Sequence, residues 1–376
     1  MKTILITGGA GFIGSNFVRH LFTKYPNYRI VVVDSLTYAG SVQNFPDGAF
    51  ESDRYEFWYG DVRNGELMDT LVSQADIVVH MAAESHVTRS IYDNRLFFET
   101  DVLGTQTVAN AVAKYRHEVE RFIHISTSEV YGTALKDAID EDHPLNPMSP
   151  YAAAKCGADR LVYSYWTTYK IPAVIIRPFN NFGPYQHLEK LVPRFITSLL
   201  LGEPMTVHGD GSAARDWLFV EDHCDALDKV MHADLDKIVG ETINIGTGTH
   251  RNILEIADAI ENVMSRMDGR VLAARSGSSR GSSVSIANKE AATASEATQL
   301  SSTKVKYIGD RPGQVFRHTC NFSKAKELLG WEPSTSFEDG ITKTIEWYQN
   351  NREWWSRQMW MRHIPIVTAS GKREMH

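Results

Sequence analysis

The chain opens on a short run of apolar and β-branched residues, Lys2-Thr-Ile-Leu-Ile-Thr7. Runs of the same kind recur at Tyr28-Arg-Ile-Val-Val-Val33, Tyr55-Glu-Phe-Trp-Tyr59, Ala75-Asp-Ile-Val-Val-His80, Arg121-Phe-Ile-His-Ile125 and Pro172-Ala-Val-Ile-Ile-Arg177. Each has the length and the residue types of a strand. Between them the apolar spacing becomes helical, in Ser15-Asn-Phe-Val-Arg-His-Leu-Phe22, over 94–115 and over 149–170. Strands alternating with helices predict an α/β fold on a doubly wound parallel sheet with right-handed crossovers.

The second half changes character, which divides the chain into a first domain over 1–176 and a smaller C-terminal α/β domain over 177–350. Segments near 215–250 are expected to return to the first. Residues 275–303 are low in complexity and almost free of aromatics, and read as a mobile insertion rather than a substrate lid. Phe322-Ser-Lys-Ala-Lys-Glu-Leu-Leu-Gly-Trp331 predicts a helix ended by its glycine. A tail over 351–376 carries Trp354, Trp355 and Trp360 beside arginines, a pattern of packing rather than lipid anchoring.

At 376 residues the chain is long enough to bury a large core, and its 43% hydrophobic content is that of a globular protein. No apolar run has the length of a membrane span, and residues 4–14 are too short and glycine-broken for a signal peptide, so a cytoplasmic protein without membrane contact is expected. A net charge of −7 argues against a nucleic-acid surface. Three scattered cysteines, Cys156, Cys224 and Cys320, suit neither a disulfide framework nor a zinc cluster, and no metal is expected.

The first predicted strand runs into Gly8-Gly-Ala-Gly11-Phe12-Ile13-Gly14 and then a helix. This order creates a phosphate site, because free N–H groups and the macrodipole at a helix N-terminus attract anions. Glycine lets a pyrophosphate approach the backbone. Asp34 closes the second strand 20 residues after Gly14, where an acid accepts from ribose hydroxyls. A carboxylate there repels a 2′-phosphate, so NAD is expected rather than NADP. Asp61 and Val62 follow the third strand, and Asp61 reads either as an acceptor for the adenine amino group or as a turn residue. The small Ala82 and Ala83 end the fourth, where a cofactor can approach the backbone. Tyr151 and Lys155 share a helix face four residues apart, after a strand that delivers Thr127. A nearby ammonium and an oxidised nicotinamide both favour the phenolate that would remove a proton from a secondary alcohol. Lys190, Arg215, Arg311 and Arg317 read either as guanidinium and ammonium ligands for a second nucleotide's diphosphate or as solvated surface charges.

Together these stretches resemble the extended short-chain dehydrogenase/reductase family, and within it the dTDP-glucose 4,6-dehydratases. The resemblance runs from residue 1 to about 350. It is carried by Thr7-Gly-Gly-Ala-Gly-Phe-Ile-Gly-Ser-Asn16, Asp34-Ser-Leu-Thr-Tyr-Ala-Gly40, Ala82-Ala-Glu-Ser-His-Val87 with Arg89-Ser-Ile91, Asn180-Asn-Phe-Gly-Pro-Tyr185 with Glu189-Lys-Leu191, and Arg215-Asp-Trp-Leu-Phe-Val-Glu-Asp-His223. It implies a Rossmann domain that binds NAD, a substrate domain, a nucleotide-diphosphate sugar as substrate, and a homodimer formed through the helices over 94–115 and 149–170.

The implied reaction is a closed redox cycle. Tyr151 takes the C4 hydroxyl proton while the C4 hydride passes to NAD, Thr127 bonds the same oxygen, and Lys155 supports the phenol. Glu129 removes the C5 proton, the C6 hydroxyl leaves as water, and the hydride returns at C6. Ser85, His86, Asn181, Lys190, Leu191 and Arg215 are the implied substrate contacts, with Asn252 and Arg311 beside them.

Three positions depart from the dehydratase pattern. Ser128 replaces the aspartate of Thr-Asp-Glu, Thr88 replaces another aspartate, and the Arg-Pro-Gly motif continues as Gln314-Val-Phe-Arg-His318 without the histidine and aspartate usual directly after it. Thr-Ser-Glu also resembles GDP-mannose 4,6-dehydratases, a resemblance that implies a water or Ser128 relay as the acid for the departing hydroxyl, and UDP-glucuronate decarboxylases. Decarboxylation and 4-epimerisation therefore stand beside dehydration as expectations, as does an NAD-binding protein without turnover.

Overall fold

The computed structural model describes residues 1–277, 305–310, 312–367 and 371–375. Most of the low-complexity stretch, from residue 278 on, and Arg311 lie outside the described residues. The chain forms two compact units. The first comprises Met1–Gln186, Ala214–Arg251 and Gly313–Phe337, and the second His187–Ala213, Asn252–Pro312 and Glu338–His376.

Strands β1 (Lys2–Thr7), β2 (Tyr28–Asp34), β3 (Tyr55–Tyr59), β4 (Ile77–His80), β5 (Arg121–Ile125) and β6 (Ala173–Pro178) are followed by β7 (Asn180–Phe182), β8 (Met205–His208), β9 (Ala214–Phe219) and β10 (Thr242–Ile245). The first unit is built on a seven-stranded sheet of order β10-β6-β5-β4-β1-β2-β3. Its neighbours pair in parallel. Alternate residues of each strand enter opposite layers. Ile4, Ile6, Val32, Val79, Ile125 and Ile176 pack on one face, and Leu5, Val31, Val33, Val78 and Phe122 on the other.

Strand order runs outward one way from β1 to β3 and the other way from β4 to β10. The carboxyl ends of β1 and β4 therefore flank the switch point where open α/β sheets bind ligands. There Thr7 pairs with His80 in register. The Thr7 hydroxyl lies 2.7 Å from His80 Nδ1 and accepts from the amides of Met81 and Ala82 at 3.2 and 3.1 Å.

The helix that carries the Tyr-Lys pair spans Pro150–Tyr169. Ser149 caps it by accepting from Ala152 N, proline occupies its first turn, and Lys170 ends it in the left-handed region at φ 57°. The helix expected over 94–115 is interrupted: α-helix at Arg95–Phe97, a π turn at Phe98–Gly104, then α-helix over Thr105–Lys114. The π turn buries Asp101, which accepts from Glu84 N at 2.8 Å.

The second unit contains the parallel pair of β8 with a strand at Val305–Ile308, and the helices Leu191–Leu201 and Ile253–Gly277. In the tail, Trp355 is buried and donates to Tyr348 O at 2.8 Å, while buried Arg362 reaches Glu203 at 2.6 Å. Trp360 is exposed. No helix among the described residues is long and apolar enough to cross a membrane.

Candidate active site

The glycine turn lies between β1 and the helix Phe12–Lys24. Gly8 has φ +71°, and a Cβ there would come within 2.6 Å of Ala82 N; a Cβ at Gly14 would stand 2.3 Å from Gly8 O. These two glycines are demanded by the protein's own backbone. Gly11 is different: it is the N-cap, with no side chain capping the helix, and a Cβ there would meet only Gly8 O, at 3.4 Å. Beyond it lies the space in front of Phe12, Ile13 and Gly14, an open cradle at a helix N-terminus that fits a dinucleotide's pyrophosphate. Asp34 holds the rim, Oδ2 accepting from Ala10 N at 2.9 Å and Oδ1 from Leu36 N at 2.8 Å. Burial raises its pKa against those bonds. Asp61 is held low by its ion pair with Arg63, Oδ2 to the guanidinium at 2.6 Å. Val62 is buried, and Ala82 and Ala83 are half-buried at the end of β4.

The second cluster forms where β5 ends and the Pro150–Tyr169 helix begins. Thr127 accepts from Glu129 N at 3.2 Å, and this bond caps the tight turn Ser128–Tyr131. A hydrogen bond with Thr127 draws the Tyr151 phenol down, but burial first, then Asp101 and Glu129, push it well above its ordinary value. Lys155 Nζ donates to Ile125 O at 2.7 Å, and burial lowers its pKa while Asp101 and Asp159 act to raise it. Burial thus opposes the phenolate, and positive charge beside the ring favours it. Below this cluster, Asp159 receives a two-pronged bond from Arg177, Nε to Oδ2 and NH2 to Oδ1, both 2.9 Å. The pair braces the active helix against β6.

The third cluster was not legible as a cluster. His318, wholly buried, lies 3.4 Å from Ser128 Oγ and 3.8 Å from Glu129 Oε1 through Nδ1, with Nε2 2.5 Å from Gly132 O. Arg215, buried on β9, brings Nε to 3.7 Å from the same Glu129 oxygen. Asp101 was missed as well; the signal available was a carboxylate within an apolar helical stretch.

The remaining expected residues are distributed as follows. Asn181 uses both ends of its amide, donating to Phe179 O at 2.9 Å and meeting His223 Nδ1 at 3.1 Å. Ser85 is exposed, and His86 is buried, accepting from Arg89 N at 3.3 Å to cap a short helix. Lys190, Leu191 and Asn252 belong to the second unit. Lys190 is the N-cap of the helix that Leu191 begins. Asn252 forms a capping box with Glu255, bonded in both directions at 2.7 and 2.9 Å. Arg317 is half-buried, with its guanidinium on the carbonyls of Asp137 and Lys136 at 2.8 and 2.7 Å.

The family model described as GDP-mannose 4,6 dehydratase matches residues 5–344. The low-salt glycan biosynthesis protein Agl12 of Haloferax volcanii is 41% identical over 350 residues, covering 93% of this chain and 99% of that protein. A dTDP-glucose 4,6-dehydratase of Streptomyces niveus is 38% identical over 356 residues, covering 94% of each chain. The crystal structure of the dTDP-glucose 4,6-dehydratase DesIV of Streptomyces venezuelae, solved with NAD bound, superposes with a TM-score of 0.81 at 36% identity, covering 95% of this chain and 99% of that one.

Proposed function

We propose, from the premise that the chain belongs to the GDP-mannose 4,6 dehydratase family of extended short-chain dehydrogenases, that it is an NAD-dependent nucleotide-sugar 4,6-dehydratase acting on dTDP-glucose. Substrate and cofactor follow those of its relatives. The observation that carries the reading is the turn Thr127–Tyr131. Capped by Thr127, it brings Thr127 and Glu129 together after β5, in the unit whose Pro150–Tyr169 helix carries Tyr151 and Lys155.

The bound dinucleotide supplies the acceptor for the C4 hydride, its return at C6, and the positive charge beside the phenol. Gly8, Gly11, Phe12, Ile13 and Gly14 cradle the pyrophosphate, Asp34 binds the ribose, Asp61 and Val62 flank the adenine, and Ala82 and Ala83 leave room at the β4 end. Tyr151 accepts the O4 proton as Thr127 bonds that oxygen, and Lys155 holds the helix face on which the phenol acts. The resulting ketone acidifies C5. Glu129 then takes the C5 proton, the C5–H electron pair forms the C5–C6 double bond, and the C6–O bond breaks. The departing hydroxyl takes that proton and leaves as water; when the hydride returns at C6, C5 takes a proton from solvent, and Tyr151 gives the O4 proton back to solvent.

The first unit thus serves the cofactor and the reacting carbons. By the family resemblance, the nucleotide diphosphate is the ligand assigned to Asn181, Lys190, Leu191, Arg215 and Asn252, and the sugar the ligand assigned to Ser85 and His86; Arg311, assigned with the former, lies outside the described residues. Exposed Leu96, Phe98, Leu103 and Tyr163 support a homodimer through their two helical segments, which sedimentation would read as twice the chain mass. A cytoplasmic location goes with this reading.

The test is turnover of dTDP-glucose in deuterium oxide. The reading requires a 4-keto-6-deoxy product with solvent deuterium at C5. Recovery of an epimer, or of unchanged sugar, would refute it.

A further inference from the structure

His318 is placed by its backbone. Its amide donates to Ala214 O at 3.1 Å, and Ala134 N donates to the adjoining Arg317 O at 3.1 Å. The segment is thereby fixed between the loop after Gly132 and the start of β9. The ring then has two unlike sides. Nε2 faces Gly132 O at 2.5 Å, and a carbonyl only accepts, so Nε2 carries the ring proton in the neutral imidazole. Nδ1 is left with a lone pair, directed at Ser128 Oγ at 3.4 Å and Glu129 Oε1 at 3.8 Å. Of these two, the hydroxyl can donate to it. The bond that ties the ring to the fold is on one nitrogen, and the groups of the elimination are on the other.

We infer that His318 is a positioning residue for the elimination step: through Nδ1 it accepts from the Ser128 hydroxyl, and by fixing Ser128 it fixes the adjoining Glu129 in the turn that presents its carboxylate to C5. This rests on the role given to Glu129 above. The neutral ring is the working form. Burial lowers the imidazole's pKa, Glu129 opposes that, and Arg215 and His143 reinforce it. Those three side chains, the Ser128 hydroxyl and the Gly132 carbonyl are the charged and polar groups facing the ring among the described residues, with the Phe179 ring edge-on at 6.0 Å. Protonation turns Nδ1 into a donor. It then releases the Ser128 hydroxyl and ion-pairs with Glu129, which is withdrawn as a base.

Two substitutions separate this role from a purely structural one. In His318→Asn the amide oxygen lies near the Nδ1 position and accepts from Ser128, but it cannot be protonated. In His318→Gln the amide nitrogen can reproduce the bond to Gly132 O, with no acceptor toward Ser128. The inference predicts that the Gln variant loses about 10²-fold in kcat at unchanged KM. Its C5 deuterium exchange should slow while C4 oxidation in a single turnover persists. The Asn variant keeps most of the rate, and the acid limb of its kcat profile moves to lower pH. The reverse order, with Gln active and Asn inactive, or wild-type pH profiles in both, would overturn it.

Should neither variant fold, Ser128→Ala removes the other half of the same bond. The inference then requires the same kcat loss at constant KM, and wild-type kcat would overturn it. Wild-type protein that turns over no nucleotide hexose would sink the dehydratase reading itself, whereas normal wild-type dehydration with the wrong variant order sinks only the role of His318.

Discussion

Alanine at Gly11 and alanine at Gly14 separate phosphate binding from packing. At Gly14 the added carbon would stand 2.3 Å from Gly8 O, 2.8 Å from Gly9 Cα and 3.0 Å from Gly8 C. All three are backbone atoms, and the shortest contact, to the Gly8 oxygen, is about 1 Å inside van der Waals separation. The turn must open, at a cost of about 1–3 kcal/mol in stability. At Gly11 the φ of −76° suits any residue and the closest approach is an ordinary 3.4 Å. Stability should change by only about 0.5–1 kcal/mol, the difference between glycine and alanine at an N-cap. The methyl group nevertheless enters the open cradle. If it displaces the pyrophosphate from two backbone N–H groups, each worth about 1.5 kcal/mol to a charged ligand, NAD affinity falls about 10²-fold. Thermal melting and calorimetric titration with NAD, run on both variants, provide the test. Gly11→Ala should melt near the wild type and bind weakly, and Gly14→Ala should lose both. A Gly11→Ala protein that binds NAD like the wild type would refute the cradle.

Tyr151→Phe should lower turnover by about 10³-fold with the melting temperature nearly unchanged, and substantial residual turnover would remove the phenol as base. Asp159→Asn strands the buried Arg177 guanidinium and should cost about 3–5 kcal/mol in urea unfolding; a cost below about 1 kcal/mol would show that the pair does not brace the helix. Arg177 holds the Asp159 carboxyl well below its usual 3.8, so this pair's contribution is complete above that pH and fades only in strong acid. The buried imidazoles act over a different window. His80 and His223 are each pushed down by burial from 6.5 to about 3, and His124 is lowered as well. Between those values the unfolded chain binds protons that the folded one refuses. Stability should therefore fall as pH drops from about 6.5 toward 4, by up to about 1.4 kcal/mol per pH unit for each group. A melting temperature flat over that interval would contradict the assignment.

The six strands marked by apolar runs all belong to the seven-stranded sheet, because a β-branched run bounded by turn residues declares itself locally. Its seventh member, β10, did not stand out: Asn244 breaks its apolar pattern and is accommodated by the Tyr131 hydroxyl at 2.8 Å and Ile139 O at 3.1 Å, both remote in sequence. The glycine turn, Asp34 and the Tyr151–Lys155 spacing were readable for the same local reason. The π turn at Phe98–Gly104 was not, since residues 94–115 have an adequate helical period and the extra residue is inserted by the need to bring Asp101 to Glu84 N. Ser128 and His318 are 190 residues apart and meet only because the segment after Gly313 returns alongside Ala214. No spacing rule encodes a meeting of that kind.

The most direct measurement of the central claim is the fate of a C4 label. dTDP-glucose carrying deuterium at C4 is incubated with the holoenzyme, and the product is examined by mass spectrometry and NMR. The account predicts a product lighter by one water, with the deuterium moved to C6 of the same molecule. Deuterium lost to solvent or still at C4, or a product of unchanged mass, would contradict it.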